Sequence, residues 1–161
     1  MFKKILVPLD GSDLAATILP QVEELAKHTN AAVTLLTVGS SDICAGGGGP
    51  VPPVKEGASC PELPLAAYLE QTAGKLRARG VEVNWVYKLG QPAQEIVAYA
   101  DENQMDLIAI ASHGGGETAW VLGSVAKKVI AHAPVAVLLM RVTEAKTPGL
   151  KSEMYYSLQT P

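Results

Sequence analysis

Three short segments of this chain combine glycine with hydroxyl or carboxylate side chains, which are groups that bind anions and polar ligands. They are residues 8–12 (PLDGS), residues 111–116 (ASHGGG) and the pair Gly123–Ser124. Glycine lets the backbone approach an anion closely, and free N–H groups at a helix start, together with a serine hydroxyl, hold a phosphate well. We therefore interpret these segments as a candidate phosphate site. The alternative interpretation is that the glycines serve only to make tight strand-to-helix turns.

The elements that must position these segments follow from hydrophobic periodicity. Apolar runs predict strands over residues 3–9, 31–38, 81–87, 106–111 and 135–142, and helical spacing predicts helices over residues 14–28, 63–79, 92–103 and 118–132. Strands that alternate with helices indicate an α/β fold, with one doubly wound, Rossmann-like, five-stranded parallel sheet and helices on both faces. Pro20 lies inside the first helical pattern and predicts a kink or a later helix start.

Residues 8–12 follow the first predicted strand, and residues 111–116 follow the fourth. Ligands of an open parallel sheet bind beyond the carboxyl ends of the strands, where the strand order reverses. If these two strands are neighbours, the two segments face each other across that position. Asp10 then either contacts a ligand, such as a ribose hydroxyl or a Mg²⁺ ion, or caps the first helix through its own turn. His113 is a candidate phosphate contact or general acid, although a backbone hydrogen bond is the more ordinary role.

Two segments lack any periodicity. Residues 39–61 contain four consecutive glycines and several prolines, which predicts a mobile loop because such a segment buries little and keeps large backbone entropy. Residues 143–161 are interpreted as a C-terminal tail, so the predicted domain spans residues 1–142. Cys44 and Cys60 both lie in the loop, and they are interpreted as free thiols, with a regulatory disulfide or a shared metal as the alternative.

The charge balance limits the classes of partner. A formal net charge of −3 leaves no basic surface for a nucleic-acid backbone or an anionic membrane. The apolar run after Met1 stops at Asp10, which is too short for a signal peptide, and no stretch approaches the roughly 18 apolar residues of a spanning helix. We expect a soluble cytoplasmic protein with no nucleic-acid partner and no membrane partner.

Common nucleotide and catalytic motifs do not account for the glycines. The chain has no G-x-x-x-x-G-K-[ST] sequence, so it is not a P-loop protein. Residues 114–119 match G-x-G-x-x-[GA], but they follow the fourth strand and lack the acidic residue that ends a later strand in dinucleotide-binding folds. Ser124 has no visible base with a third orienting group, so it is not a predicted nucleophile and no catalytic residue is assigned.

The segments ILVPLDGS (5–12), GQPAQEIVAYA (90–100), ASHGGG (111–116) and LGSVAKKVIAHAPVAVLLM (122–140) together resemble the universal stress protein family. The resemblance covers residues 2–142, and the last of these segments is the most specific. It implies a five-stranded parallel sheet in the order 3-2-1-4-5. That order places the first strand beside the fourth, as the argument from the strand ends requires.

The resemblance further implies an ATP-binding subgroup, whose pattern is Gly, two residues, Gly, nine residues, Gly, then Ser or Thr. Two departures occur, because Ala111 replaces the first glycine and only eight residues separate Gly114 from Gly123. We therefore expect weaker ATP binding, or a preference for fewer phosphates. The residues that the resemblance assigns to adenine-nucleotide binding are Pro8, Leu9 and Asp10 at the base and ribose, Val38 at the adenine, and Ala111, Ser112, His113, Gly114, Gly123, Ser124 and Val125 along the phosphates, with Asp10 also the candidate Mg²⁺ neighbour.

The predicted function is a regulatory module of the stress response that binds ATP, ADP or AMP. Two alternatives stay open: a slow ATPase, and a dimeric interaction module whose nucleotide pocket has decayed. A homodimer is expected in each case, because the long apolar strand at residues 135–142 is an edge strand in the family order and an exposed edge invites pairing with another chain.

Overall fold

The central sheet consists of five parallel strands: β1 (Lys4–Pro8), β2 (Ala32–Gly39), β3 (Val83–Leu89), β4 (Leu107–Ala111) and β5 (Ala136–Met140). Their spatial order is β3-β2-β1-β4-β5, and every neighbouring pair is parallel. The computed structural model describes residues 1–39, 64–112 and 122–141. The predicted α/β fold and the predicted strand order are both confirmed.

Helices cover both faces of the sheet. The first face packs against α1 (Asp13–Ala16), α2 (Leu19–Thr29) and α3 (Pro64–Ala78), and the second face packs against α4 (Pro92–Glu102) and α5 (Ser124–His132). Alternate residues of each strand feed the two cores: Ile5 and Val7 of β1 enter the first, and Leu6 enters the second. All three are completely buried, which explains why β1 reads as a continuous apolar run.

The helix predicted over residues 14–28 is divided into α1 and α2. Pro20 lies in the first turn of α2, where its missing N–H has no helical partner to lose, so it begins a helix rather than kinking one. Asn30 ends α2 in the left-handed conformation with φ of 51°. The helix predicted from residue 118 is described only from Ser124 onward, and Leu122 and Gly123 precede it.

At the amino-terminal end of the sheet, Asp106 connects the start of β1 to the start of β4. The Asp106 carboxylate accepts hydrogen bonds from the backbone N–H groups of Lys3 at 2.8 Å and Lys4 at 2.9 Å. These bonds favour the charged form and hold the pKa of Asp106 below its ordinary value. The backbone N–H of Asp106 also donates to the Lys4 carbonyl at 2.9 Å. Asp106 thus fixes β1 against β4 at the end opposite to the predicted ligand site.

Several predicted features lie outside the described residues. Gly39 belongs to β2, so the predicted loop over residues 39–61 begins one residue too early. Its remainder, with both cysteines, and the tail lie outside the described ranges, so their mobility and chemistry stay predictions. None of the helices in the described ranges is long and apolar enough to cross a membrane.

Candidate ligand-binding cleft

A cavity of about 240 Å³ opens at the carboxyl-terminal edge of the sheet, where β1 and β4 lie side by side. The chain leaves β1 toward one face of the sheet and leaves β4 toward the other, so this is the point at which the strand order reverses. Open parallel sheets bind ligands at this position. Its wall includes residues from the ends of β1, β2 and β4 and from the first turns of α4 and α5. Its volume approaches the roughly 300 Å³ at which small-molecule sites begin.

The lining residues fall into two chemical groups. We call those with polar side chains or a helix-start backbone the polar half, and we call the larger apolar side chains the apolar half: Pro8, Leu36, Val38, Pro92, Ile96 and Ile110. The wall is continuous with the core of the second face, because most of these side chains also pack against buried residues there. An ion pair between Lys88 on β3 and Glu95 on α4, at 3.5 Å, ties the first turn of α4 to the sheet. These side chains offer an apolar surface to a planar apolar group.

The other half of the cavity is polar, and Asp10 is its one charged side chain among the described lining residues. Asp10 Oδ1 accepts hydrogen bonds from the backbone N–H of Ser12 at 2.9 Å and from the Ser12 hydroxyl at 2.5 Å. The Ser12 hydroxyl in turn accepts from the backbone N–H of Ala15 at 3.1 Å, which caps α1. The two interpretations of Asp10 are therefore compatible, because Ser12 is the cap and Asp10 orients it while still lining the cavity.

The loop that carries Asp10 packs against α3. Gly11 adopts φ of +82°, a conformation that favours glycine, and a Cβ atom at this position would lie 2.7 Å from Leu65 Cδ2, which would have to move. Tyr68 lies one turn further along α3. Burial raises the pKa of its phenol, and the negative charges of Asp10 and Asp13 add to this rise. Asp10 and Tyr68 are thus electrostatic neighbours.

The segment after β4 is held to the start of α5 by backbone hydrogen bonds. The N–H of Ser112 donates to the Met140 carbonyl at 2.7 Å, and the N–H of Gly123 donates to the Ser112 carbonyl at 2.9 Å. The helix α5 then begins at Ser124 with no side-chain cap at Gly123 and no acidic residue in its first turn. Residues of this first turn line the cavity. The first N–H groups of a helix have no partner within it, so an anion is favoured at this position.

Eight of the eleven predicted nucleotide-binding residues line this single cavity: Pro8, Asp10, Val38, Ala111, Ser112, Gly123, Ser124 and Val125. The side chain of Leu9 is buried in the core of the first face instead. His113 and Gly114 lie outside the described residues. The described ranges contain no group of three His, Cys, Asp or Glu residues that could hold a metal ion, so the Mg²⁺ site at Asp10 stays a prediction.

Sequence reasoning missed the lining residues that come from elements without a motif, such as Leu36, Ile96 and Ala126. Their apolar side chains are indistinguishable from core residues in the sequence. Pro92 was recognised as a helix start only. Because α4 follows β3, its first turn must lie at the carboxyl edge of the sheet, and this topological signal could have brought Pro92 to the site.

Comparison with known proteins shows the family to which the chain belongs. The sequence model of the universal stress protein family matches residues 1–141. The universal stress protein YxiE of Bacillus subtilis is 32% identical over 148 residues, covering 88% of this chain and 100% of that protein. The universal stress protein MJ0531 of Methanocaldococcus jannaschii is 33% identical over 156 residues, covering 86% of this chain and 82% of that protein.

Solved structures share the fold. Protein MJ0577 superposes with a TM-score of 0.69 at 25% identity, covering 90% of this chain and 99% of that one. A universal stress protein in complex with cAMP gives a TM-score of 0.66 at 21% identity, with 88% and 98% covered. One from Archaeoglobus fulgidus in complex with dAMP gives 0.58 at 24%, with 86% and 97% covered. With the match of its sequence over residues 1–141, the chain belongs to the universal stress protein family.

Proposed function

We propose that this chain binds an adenine nucleotide in the cleft between β1 and β4 and acts as a nucleotide-dependent regulatory module of the stress response, not as a fast enzyme. The observation that carries the proposal is that one cavity at the switch point of the sheet is lined both by apolar side chains and by polar groups. Val38 and Ile110 belong to the apolar half, and Asp10, Ser112 and Ser124 belong to the polar half. A nucleotide combines the same two kinds of group, with a planar base at one end and an anion at the other.

The apolar half suits the base. Leu36 and Val38 offer side chains on the second face of the sheet, and the end of β2 offers backbone groups beside them. A purine stacked here would remove apolar surface from water on both sides, at roughly 25 cal/mol for each Å². The backbone groups at the end of a strand supply the few directed hydrogen bonds that select one base.

The polar half suits the sugar and the phosphates. Asp10 is the acceptor for ribose hydroxyls, and the hydroxyl of Ser124 with the N–H groups of the first α5 turn are donors to phosphate. No acidic side chain lies in that turn to repel an anion. The cavity of about 240 Å³ bounded by described residues suits a nucleoside with few phosphates better than a triphosphate.

Two proteins of the same fold were solved with adenosine monophosphates, one with cAMP and one with dAMP. At 21% and 24% identity their likeness to this chain concerns the fold, so the proposal depends on this chain's own cleft. ATP, ADP or AMP as the native ligand, an accompanying Mg²⁺ ion, and action in the cytoplasm are parts of the proposal. The absence of nucleic-acid and membrane partners stays a prediction from the charge balance.

The test begins with the small molecule released when the purified protein is denatured, identified by mass spectrometry. Calorimetry with AMP, ADP and ATP, with and without Mg²⁺, follows on the wild type and on Val38→Trp. The indole would fill the apolar half, so binding should become undetectable. The matched control is Val86→Trp, because Val86 is also half-buried, on the same face of the neighbouring strand, and outside the cavity wall.

Each outcome has a distinct meaning. Binding to the wild type and to Val86→Trp but not to Val38→Trp supports the proposal. Equal binding by all three proteins would place the nucleotide elsewhere and overturn it. No binding by any protein would favour the dimeric interaction module with a decayed pocket. Steady release of phosphate from ATP would favour the slow ATPase.

We also propose that the chain forms a homodimer through the predicted strand at residues 135–142, whose described part is β5. This strand ends the sheet, Leu138 is 39% exposed and Ile130 on the adjacent helix α5 is 44% exposed. An apolar edge strand of this kind is normally covered or charged in monomers. Light scattering should give twice the 16.9 kDa mass of the chain.

Leu138→Arg should convert the dimer to monomer, because it puts a charge into the proposed interface. Asn84→Arg is the control, since Asn84 is an exposed residue of β3, the strand at the other edge of the sheet. A wild-type mass of one chain at micromolar concentration, or loss of the dimer in the Asn84 variant alone, would contradict the proposed interface.

A further inference from the structure

A buried hydroxyl is bonded to the residue that precedes Asp10. Thr37 on β2 is 1% exposed, and its Oγ1 donates a hydrogen bond to the Leu9 carbonyl at 2.8 Å, across 28 positions of the sequence. The other threonine buried in the described ranges, Thr72, donates to the Tyr68 carbonyl within its own helix. Thr37 instead connects two elements, and its bond reaches the residue that immediately precedes Asp10.

The bond to Thr37 sets the orientation of Asp10 through the geometry of the peptide bond. The Leu9 carbonyl and the Asp10 nitrogen belong to one planar peptide unit, so a donor that fixes the carbonyl also fixes the direction in which Asp10 leaves it. The other side of Leu9 is held too, because its N–H donates to the Leu36 carbonyl at 2.8 Å. The chain therefore enters the cleft from β1 along a fixed path.

The carboxylate end of Asp10 is held by a second bond set. Ser12 donates to Asp10 Oδ1 from its backbone N–H and from its hydroxyl. Asp10 is thus held at its backbone through the Leu9 carbonyl and at its side chain by Ser12. Burying a hydroxyl is unfavourable unless it is hydrogen-bonded, so Thr37 is a poor choice for filling space alone, where valine would serve.

We infer that Thr37 is a positioning residue of the nucleotide site, which sets the Asp10 carboxylate against the ribose hydroxyls and thereby determines the discrimination between ribonucleotides and deoxyribonucleotides. This inference rests on the proposed function, because it names how the sugar is read in the same cleft. Thr37 itself does not touch the ligand; it acts through the Leu9 carbonyl.

The test compares three substitutions of Thr37. Thr37→Val keeps the volume and removes the donor, Thr37→Ser keeps the donor and removes a methyl group, and Thr37→Ala differs from the serine variant by a single oxygen. Calorimetry with AMP, 2′-deoxy-AMP and 3′-deoxy-AMP measures the discrimination. Hydrogen bonds to charged groups are among the stronger ones, so the wild type should bind at least one deoxy analogue roughly tenfold more weakly than AMP.

In Thr37→Val and Thr37→Ala this ratio should fall to about twofold or less, because AMP binding weakens while binding of the deoxy analogue is unchanged. Thr37→Ser should keep a ratio within about twofold of the wild type. A merely structural role would lower the folded fraction and weaken all three ligands equally, which leaves the ratio unchanged. If Thr37→Val does not fold, the alanine and serine variants form the same comparison.

Three results would overturn the inference. Full discrimination in the valine and alanine variants would overturn it while nucleotide binding stands. Equal binding of AMP and both deoxy analogues by the wild type would also overturn it, since no sugar hydroxyl would then be read, and nucleotide binding would again stand. No binding of any adenosine monophosphate by the wild type would remove the proposed function and the inference with it.

Discussion

The polar half of the cleft has two sides, one at β1 and β2 and the other at β4 and α5, and different kinds of hydrogen bond hold them. On the β1–β2 side, side-chain groups take part in the bonds: the Thr37 hydroxyl donates to the Leu9 carbonyl, and the Ser12 hydroxyl donates to the Asp10 carboxylate. On the β4–α5 side, the backbone holds itself, because Ser112 donates its N–H to Met140 at 2.7 Å and accepts from Gly123 at 2.9 Å. Removal of a side-chain hydrogen-bonding group can therefore change the geometry of the first side, whereas it leaves the backbone bonds of the second side in place.

Because of this difference, the β4–α5 side suits phosphate in general, whereas the β1–β2 side can select a particular ligand. Backbone N–H groups at a helix start recognise any phosphate, whatever base and sugar are attached to it. A carboxylate oriented by Ser12 recognises only donors in one geometry, and a single substitution can redirect it. We expect relatives with the same β4–α5 side to differ in ligand preference mainly through the β1–β2 side.

The largest effect is expected from charge on the β4–α5 side. Ser124→Asp places a carboxylate at the first position of α5, where it suits the helix dipole but repels phosphate. Affinity for AMP should fall by about a hundredfold, which is roughly 2.7 kcal/mol, with no loss of melting temperature. Ser124→Asn is the control, because asparagine is neutral and has nearly the same shape as aspartate. Equal affinity of the two variants would show that no phosphate lies at this helix start.

A smaller effect is expected from Asp10→Asn on the β1–β2 side. The amide keeps an oxygen that can accept from Ser12, so the turn should survive, while the charged acceptor for the sugar is lost. Affinity should fall by roughly tenfold, and by the same factor for AMP, ADP and ATP, because the loss concerns the sugar. A loss that grows with the number of phosphates would instead make Asp10 a metal ligand, and calorimetry with and without Mg²⁺ distinguishes the two.

Ala111→Gly should have a few-fold effect that is confined to the longer nucleotides. Ala111 is buried at the end of β4 and lines the cavity, so its methyl group occupies space that the family pattern leaves open. Removing the methyl group should raise the affinity for ATP about threefold and leave AMP unchanged. Tight ATP binding by the wild type, unaltered by the substitution, would contradict the expected preference for fewer phosphates.

The smallest effect is expected at the opposite end of the sheet. Asp106 accepts from Lys3 and Lys4, and its pKa is lowered, so its contribution to stability is present above its ordinary value of 3.8 and is lost as the pH falls through the lower folded value. Asp106→Asn should lower the melting temperature slightly at pH 6, and the difference from the wild type should disappear as the pH falls through the lowered pKa of the folded state. Nucleotide affinity should not change, which makes this variant the control for effects of stability on binding.

Much of the architecture was predictable because it depends on patterns that repeat over many residues. Continuous burial of Ile5, Leu6 and Val7 produces an apolar run, and the alternation of strands with helices restricts the topology to a parallel sheet. Glycine and hydroxyl residues at strand ends indicated the cleft because backbone approach and helix-start geometry require those residue types. Eight predicted residues accordingly meet in one cavity.

The rest depends on contacts between residues that are far apart in sequence. In the sequence Thr37 is indistinguishable from any other strand residue. Only the structure shows that its hydroxyl donates a hydrogen bond to the Leu9 carbonyl. Leu9 was predicted at the site because it adjoins Asp10, yet the alternation of β1 turns its side chain into the core. Short-range patterns cannot reveal which of two alternating neighbours faces a cavity until the register of the sheet is known.

The pairing of β1 with β4 has a consequence for how the protein acquires activity during folding. Ile5 lies opposite Leu107, so the two strands that border the cleft meet only after a loop of about a hundred residues has closed. Loop closure over such a distance is entropically unfavourable, and contacts of long sequence separation form slowly. During synthesis β4 is made after β1, β2 and β3, so a nascent chain that lacks β4 has no cleft. Nucleotide would then bind only to chains in which β1 and β4 have paired and would stabilise them by mass action, which makes the ligand a selective stabiliser of folded chains.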